Sequence, residues 1–138
     1  MSLRAIAVWA AVFALAAAAI AWTAPRYRLT FVGGWSMAPS LCRGDMVIYR
    51  RGGGSIREGD VVFVSKPGWP EGVLHRVIGL EADGGLQLKG DANTVPDRDV
   101  ARPSAVRGVC AAVVPTGRMV LGIWRVLGRW YNLPSPTA

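Results

Sequence analysis

Hydrophobic and polar positions follow three different patterns along this chain. In residues 5–24 (AIAVWAAVFALAAAAIAWTA) no side chain is charged. Wound as a helix, that run is about 30 Å long, the thickness of a bilayer core. From Tyr27 to Val114 the apolar residues instead come in short runs broken by glycine and proline. Residues 27–32, 45–49, 60–64, 73–80, 86–89 and 106–114 read as strands. The clearest is 73–80, where alternation puts His75, Val77 and Gly79 on one face and Leu74, Arg76, Ile78 and Leu80 on the other. Asp83-Gly84-Gly85 signals a hairpin into residues 86–89. Residues 65–72 read as a loop because Pro67, Gly68 and Pro70 oppose regular pairing, and the polar stretch 90–103 reads as another.

After Pro115 the pattern changes to a helical one. Thr116 can cap a helix in which Arg118, Gly122, Arg125 and Arg129 form one stripe and aliphatic and tryptophan residues cover the rest. Such a helix suits a membrane interface; docking on the domain or on a partner in the bilayer is the alternative. The expected fold class is mostly β. It is a compact antiparallel β domain with an N-terminal transmembrane helix and a C-terminal amphipathic helix. The expected units are a membrane anchor (1–26), the β domain (27–115), the amphipathic helix (116–131) and a disordered tail (132–138).

Charge and cysteine content refine this picture. The net charge is +7, and all nine acidic residues lie between Asp45 and Asp99, so both ends are purely basic. Beside an apolar anchor, attraction to anionic lipid explains the basic ends better than nucleic-acid binding does. The anchor competes with a cleaved signal peptide, for which Ala19-Ile20-Ala21 would be the processing site. Arg4 ahead of the run and Arg26 and Arg28 behind it leave its orientation open. Cys42 and Cys110 match no metal-binding spacing and read as two unrelated buried thiols, with pairing in an oxidising compartment as the alternative.

The candidate chemistry centres on Ser36, in Gly34-Trp35-Ser36-Met37-Ala38-Pro39-Ser40. A nucleophilic serine needs a base and a group to orient that base. His75 is the only histidine, and Asp91 and Asp97 lie in the polar loop beyond it. Taken singly, each has an ordinary structural explanation as a turn or strand residue.

Taken together, the residues resemble a known family. Ser36-Met37-Ala38-Pro39-Ser40-Leu41, continued by Arg43-Gly44-Asp45-Met46-Val47, is similar to the serine box of the type I signal peptidases. Glu58-Gly59-Asp60-Val61-Val62 resembles the second box and Leu74-His75-Arg76-Val77-Ile78 the box that holds the general base. Lys89-Gly90-Asp91-Ala92-Asn93 with Asp97 resembles the acidic box. The boxes stand in the family's order. The bacterial branch carries a lysine at the base position. The archaeal and endoplasmic-reticulum-type branch carries a histidine, as here, so the resemblance is to the Ser-His-Asp branch.

The resemblance implies a membrane-bound serine endopeptidase that removes signal peptides from translocated preproteins. Ser36 would be the nucleophile and His75 the general base. Asp97 is the preferred orienting acid, with Asp91 the other candidate. Val32, Gly34 and Trp35 would line the substrate site. Many relatives have a serine two residues before the nucleophile, as an oxyanion donor; this chain has Gly34 there. No metal or other cofactor is implied. The expected partners are secretory preproteins, the lipid membrane and other membrane proteins, with no nucleic acid. The expected location is the plasma membrane of a prokaryote, with the catalytic domain on the extracytoplasmic side. A processing peptidase dedicated to pilin or conjugation substrates, or a non-catalytic membrane-tethered binding domain, would carry many of the same features.

Overall fold

The computed structural model describes residues 2–66 and 69–131. Helix α1 (Leu3–Thr23) leads through a short turn (Ala24–Arg26) into β1 (Tyr27–Phe31). Then come β2 (Met46–Arg51), β3 (Val61–Lys66), β4 (Trp69–Leu80), β5 (Leu86–Lys89), β6 (Val106–Val114) and α2 (Thr116–Tyr131). In α1 the Ser2 side chain caps the first turn by accepting from the Ala5 N–H, and no residue of the helix is buried. Its length and composition suffice to cross a membrane. At its far end the Arg26 guanidinium lies 4.0 Å from the Trp22 ring centroid and donates to the Trp22 carbonyl at 2.7 Å. A cation over an indole at the end of an apolar helix suits the headgroup layer.

The strands form one antiparallel sheet in the order β1-β2-β6-β3-β4-β5. The last strand in sequence therefore sits in the middle. Strand β3 is buried on both faces: Val62 and Val64 pack with Val77, Leu86 and Leu88, whereas Phe63 packs with Val47 and Leu74. That explains why Val61-Val62-Phe63-Val64 is an unbroken apolar run. Met37 and Leu41, at 2% and 3% exposure, plug into the second cluster and fix the serine segment to the core.

Two expectations need correction. Within the expected loop 65–72, residues 65–66 and 69–72 are strand. β3 extends to Lys66, β4 begins at Trp69, and Lys66 pairs with Trp69. Pro70 does not prevent this because the register shifts between Val64 and Lys66. Ser65 on one strand faces residues 70–72 on the other, so Pro70 falls in a bulge where no ladder N–H is required. Gly72 in that bulge has φ +95°, and a Cβ there would lie 2.7 Å from the Phe63 ring. The regular alternation expected through residue 80 also ends early, because a register shift intervenes between Val77 and Gly79.

Helix α2 begins directly after β6. Of the arginines in the expected stripe, Arg118 is the one among the described side chains. It stays half-exposed while its Nη2 reaches to 3.3 Å from Asp45 Oδ2, and Met119, Val120 and Ile123 are exposed. The side chains of residues 124–131 and the tail 132–138, expected to be disordered, lie outside the described residues.

Candidate active site

The loop carrying Ser36 is closed at its neck by backbone pairing. The Val32 N–H donates to the Asp45 carbonyl at 2.9 Å and the Gly44 N–H to the Val32 carbonyl at 2.8 Å. Inside the loop, tight turns join Ala38 N–H to the Trp35 carbonyl and Leu41 N–H to the Met37 carbonyl. With Met37 and Leu41 buried, Ser36 is left half-buried at the rim. The loop after β5 packs against it: the Ala92 N–H donates to the Ser36 carbonyl at 2.8 Å. Gly90 permits the approach, since a Cβ there would stand 2.6 Å from that same carbonyl oxygen.

His75 points to Ser36 from the middle of β4. Its Nε2 lies 3.3 Å from Ser36 Oγ and its Nδ1 lies 2.7 Å from Asp97 Oδ2. The imidazole is almost fully enclosed, with 9% of the side chain exposed. A carboxylate only accepts, so the proton between His75 and Asp97 belongs on Nδ1. Nε2 is then left to accept from the serine hydroxyl. Asp97 is held by its own backbone: its N–H donates to the Leu88 carbonyl at 2.8 Å, and its carbonyl accepts from Gln87 Nε2 at 2.9 Å. Residues from three parts of the chain thus stand in the line serine, histidine, aspartate.

Asp91 is elsewhere. Its two carboxylate oxygens receive Nε and Nη2 of Arg76 at 2.8 and 2.6 Å, and Arg76 Nη1 reaches the Gly59 carbonyl at 2.8 Å. His75 and Arg76 are neighbours in β4, so one side chain meets Asp97 and the other ties down the start of the same loop. The Arg76 hydrogen bonds hold the Asp91 carboxyl below the usual carboxylate range, Ser40 adds to this, and partial burial opposes it. A carboxyl lowered on folding stabilises the fold above its unfolded value near pH 4. That contribution is lost as pH falls through the folded value. Asp91→Asn is therefore expected to cost about 1–2 kcal/mol at pH 7. In thermal melts the gap from wild type should close as the pH is lowered below about 4.

The serine and the imidazole open onto a cleft of about 930 Å³, lined among others by Phe31, Val32, Gly34, Trp35, Trp69 and Leu74. Val32 is buried and forms floor, whereas Trp35 is 60% exposed and forms rim. Gly34 has nothing within 4 Å of the position a Cβ would take. Cys42 and Cys110 are free thiols, and burial pushes the Cys110 thiol up. Among the described residues no three His, Cys, Asp or Glu side chains are grouped to hold a metal ion.

Several residues that shape the site escape a reading of the sequence. The bidentate Arg76–Asp91 pair and the close approach at Gly90 depend on how the loop after β5 folds back. Gly90 beside Asp91 was visible as a turn signal, with nothing to say what it faces. Asp45 stands in the first box without a role there, although it is completely buried. A comparison with curated proteins returns no match. The chain does match the family model described as signal peptidase, peptidase S26, over residues 3–108. Those peptidases are membrane-associated and act on signal-peptide-bearing substrates, which agrees with an apolar helix leading into the β domain. This chain belongs to the peptidase S26 family of signal peptidases.

Proposed function

We propose that the protein is a membrane-anchored serine endopeptidase of the Ser-His-Asp branch that cuts signal peptides from translocated preproteins. The observation that carries this is the file of Ser36, His75 and Asp97, at 3.3 and 2.7 Å, opening onto a cleft lined by Phe31, Val32, Trp35 and Leu74 on one part and by Glu71, Arg98 and Asp99 on another. His75 Nε2 takes the Ser36 proton as Oγ attacks the scissile carbonyl, then gives it to the leaving amine. A water deprotonated by the same imidazole hydrolyses the acyl ester. Asp97 fixes the tautomer and stabilises the imidazolium. Asp91 acts on the loop, through Arg76, and not on the reacting atoms. Residues 1–26 are the anchor and residues 27–115 the catalytic domain. With an anchor that ends a few residues before β1, the scissile bond lies close to the bilayer surface. The catalytic domain faces the extracytoplasmic side of a prokaryotic plasma membrane, where translocated preproteins emerge.

The test is processing of a panel of preproteins by the full chain in liposomes, with Ser36→Ala as control. Cleavage after the apolar core in many preproteins, lost in Ser36→Ala, is expected. Cleavage of a single preprotein would make the enzyme a dedicated peptidase, and binding without cleavage would overturn the catalytic reading.

Gly34 gives a second measurement. The open space beside it admits a hydroxymethyl group, and an oxyanion donor is worth about 10²–10³ in rate. Gly34→Ser is expected to raise kcat at least about tenfold at unchanged KM. An unchanged kcat would mean that the oxyanion already has its full set of donors.

A further inference from the structure

The segment that carries Ser36 is clamped from behind by the first turn of α2, through a buried carboxylate. Asp45 has no exposed surface. Its Oδ2 accepts from the Cys42 N–H at 2.9 Å, inside the serine loop, and its Oδ1 accepts from the Gly117 N–H at 3.1 Å, in α2. One side chain therefore bridges two segments 72 residues apart. The contact is reinforced around it. Thr116 Oγ1 donates to the Gly44 carbonyl at 2.6 Å. Arg118 Nη2 reaches Asp45 Oδ2 at 3.3 Å and the Ser40 carbonyl at 3.4 Å. Two glycines make the approach possible. A Cβ on Gly117 would stand 2.2 Å from the Arg43 carbonyl oxygen, and one on Gly44 would stand 3.1 Å from Gly117 Cα.

We infer that Asp45 is a positioning residue for catalysis, holding the serine loop in register with His75 by locking it to α2. The inference rests on Ser36 being the nucleophile. The physical reason is the geometry of the loop. Its neck is closed by Val32 pairing with Gly44 and Asp45, its centre is pinned by Met37 and Leu41, and its far limb (Ser40–Cys42) is held by Arg118 and Asp45. Release of that limb lets Ser36 drift from an imidazole that is itself fixed in a strand. A displacement of about 1 Å costs on the order of 10²-fold in rate.

The experiment measures kcat, KM and thermal midpoint for the full chain in liposomes, well below each variant's midpoint. Asp45→Asn keeps the shape but turns one acceptor into a donor facing N–H groups. Gly117→Ala displaces the helix without touching the carboxylate. Both are expected to lower kcat about 10²-fold with KM little changed, and the double variant should be no worse than either single one. Thr116→Val should lower kcat and Thr116→Ser restore it, which covers the case in which Asp45→Asn fails to fold. Wild-type kcat in folded Gly117→Ala and Thr116→Val, or full additivity of the double variant, would overturn the inference. Ser36→Ala separates the two claims: if it still cleaves, the nucleophile assignment fails. If it is dead while the clamp variants are unimpaired, only the clamp fails.

Discussion

His75→Ala is expected to lower kcat about 10⁴–10⁶-fold, and Ser36→Ala by a similar factor. Neither loss should be accompanied by a large change in KM. The cleft is lined mainly by residues other than these two, among them Phe31, Trp35, Trp69 and Leu74, so ground-state binding survives while the proton transfer is gone. Under the proposed mechanism the two residues act as one unit. At 3.3 Å the serine hydroxyl has the imidazole nitrogen as its acceptor, and without that acceptor it is an ordinary alcohol with almost no nucleophilic fraction. The double variant Ser36→Ala/His75→Ala should consequently be no slower than either single one. Single-turnover cleavage of a signal-peptide substrate in liposomes measures this. Losses that multiply in the double variant would mean that the serine and the histidine serve separate steps.

Asp97→Asn is expected to lower kcat about 10⁴-fold in a protein that remains folded. Asparagine keeps the size of the side chain, and the backbone bonds of residue 97 to Leu88 and Gln87 are untouched by the change. What changes is the group facing Nδ1 at 2.7 Å. An amide NH₂ turned to the ring asks Nδ1 to accept, which moves the imidazole proton to Nε2. The nitrogen that should take the serine proton then already carries one. Asp91→Asn, by contrast, breaks the pair with Arg76 and should appear chiefly in the melting temperature. A dead Asp91→Asn beside an active Asp97→Asn would reverse the two assignments.

How far the sequence speaks for the structure differs from part to part. α1, all six strand cores and the β4–β5 hairpin follow from local pattern alone, because apolar runs and glycine turns are local signals. The β3–β4 connection does not. The rule against proline in a strand assumes a continuous ladder, and a bulge around Pro70 removes the condition. At the site, the order of the boxes names Ser36, His75 and both aspartates. Which carboxylate meets the imidazole depends on where the loop after β5 turns, and that is set by Arg76 capturing Asp91 and by Gly90 lying against Ser36. The clamp of Asp45 on Gly117 is invisible along the chain, since no local pattern links residues so far apart.

The central position of β6 ties the site to the order of synthesis. Ser36 lies between β1 and β2, whereas His75 and Asp97 belong to β4 and the loop after β5; in the backbone ladder these halves meet only through β6. A nascent chain has all three side chains outside the ribosome before residues 106–114 follow. Without that strand, no ladder joins the piece that carries the serine to the piece that carries its base. The apolar helix ahead of the sheet carries the small residues Ala19 and Ala21 near its end, much like the segments the protein is proposed to cut. On the proposed reading the site is therefore incomplete until the middle strand has joined the two halves of the sheet.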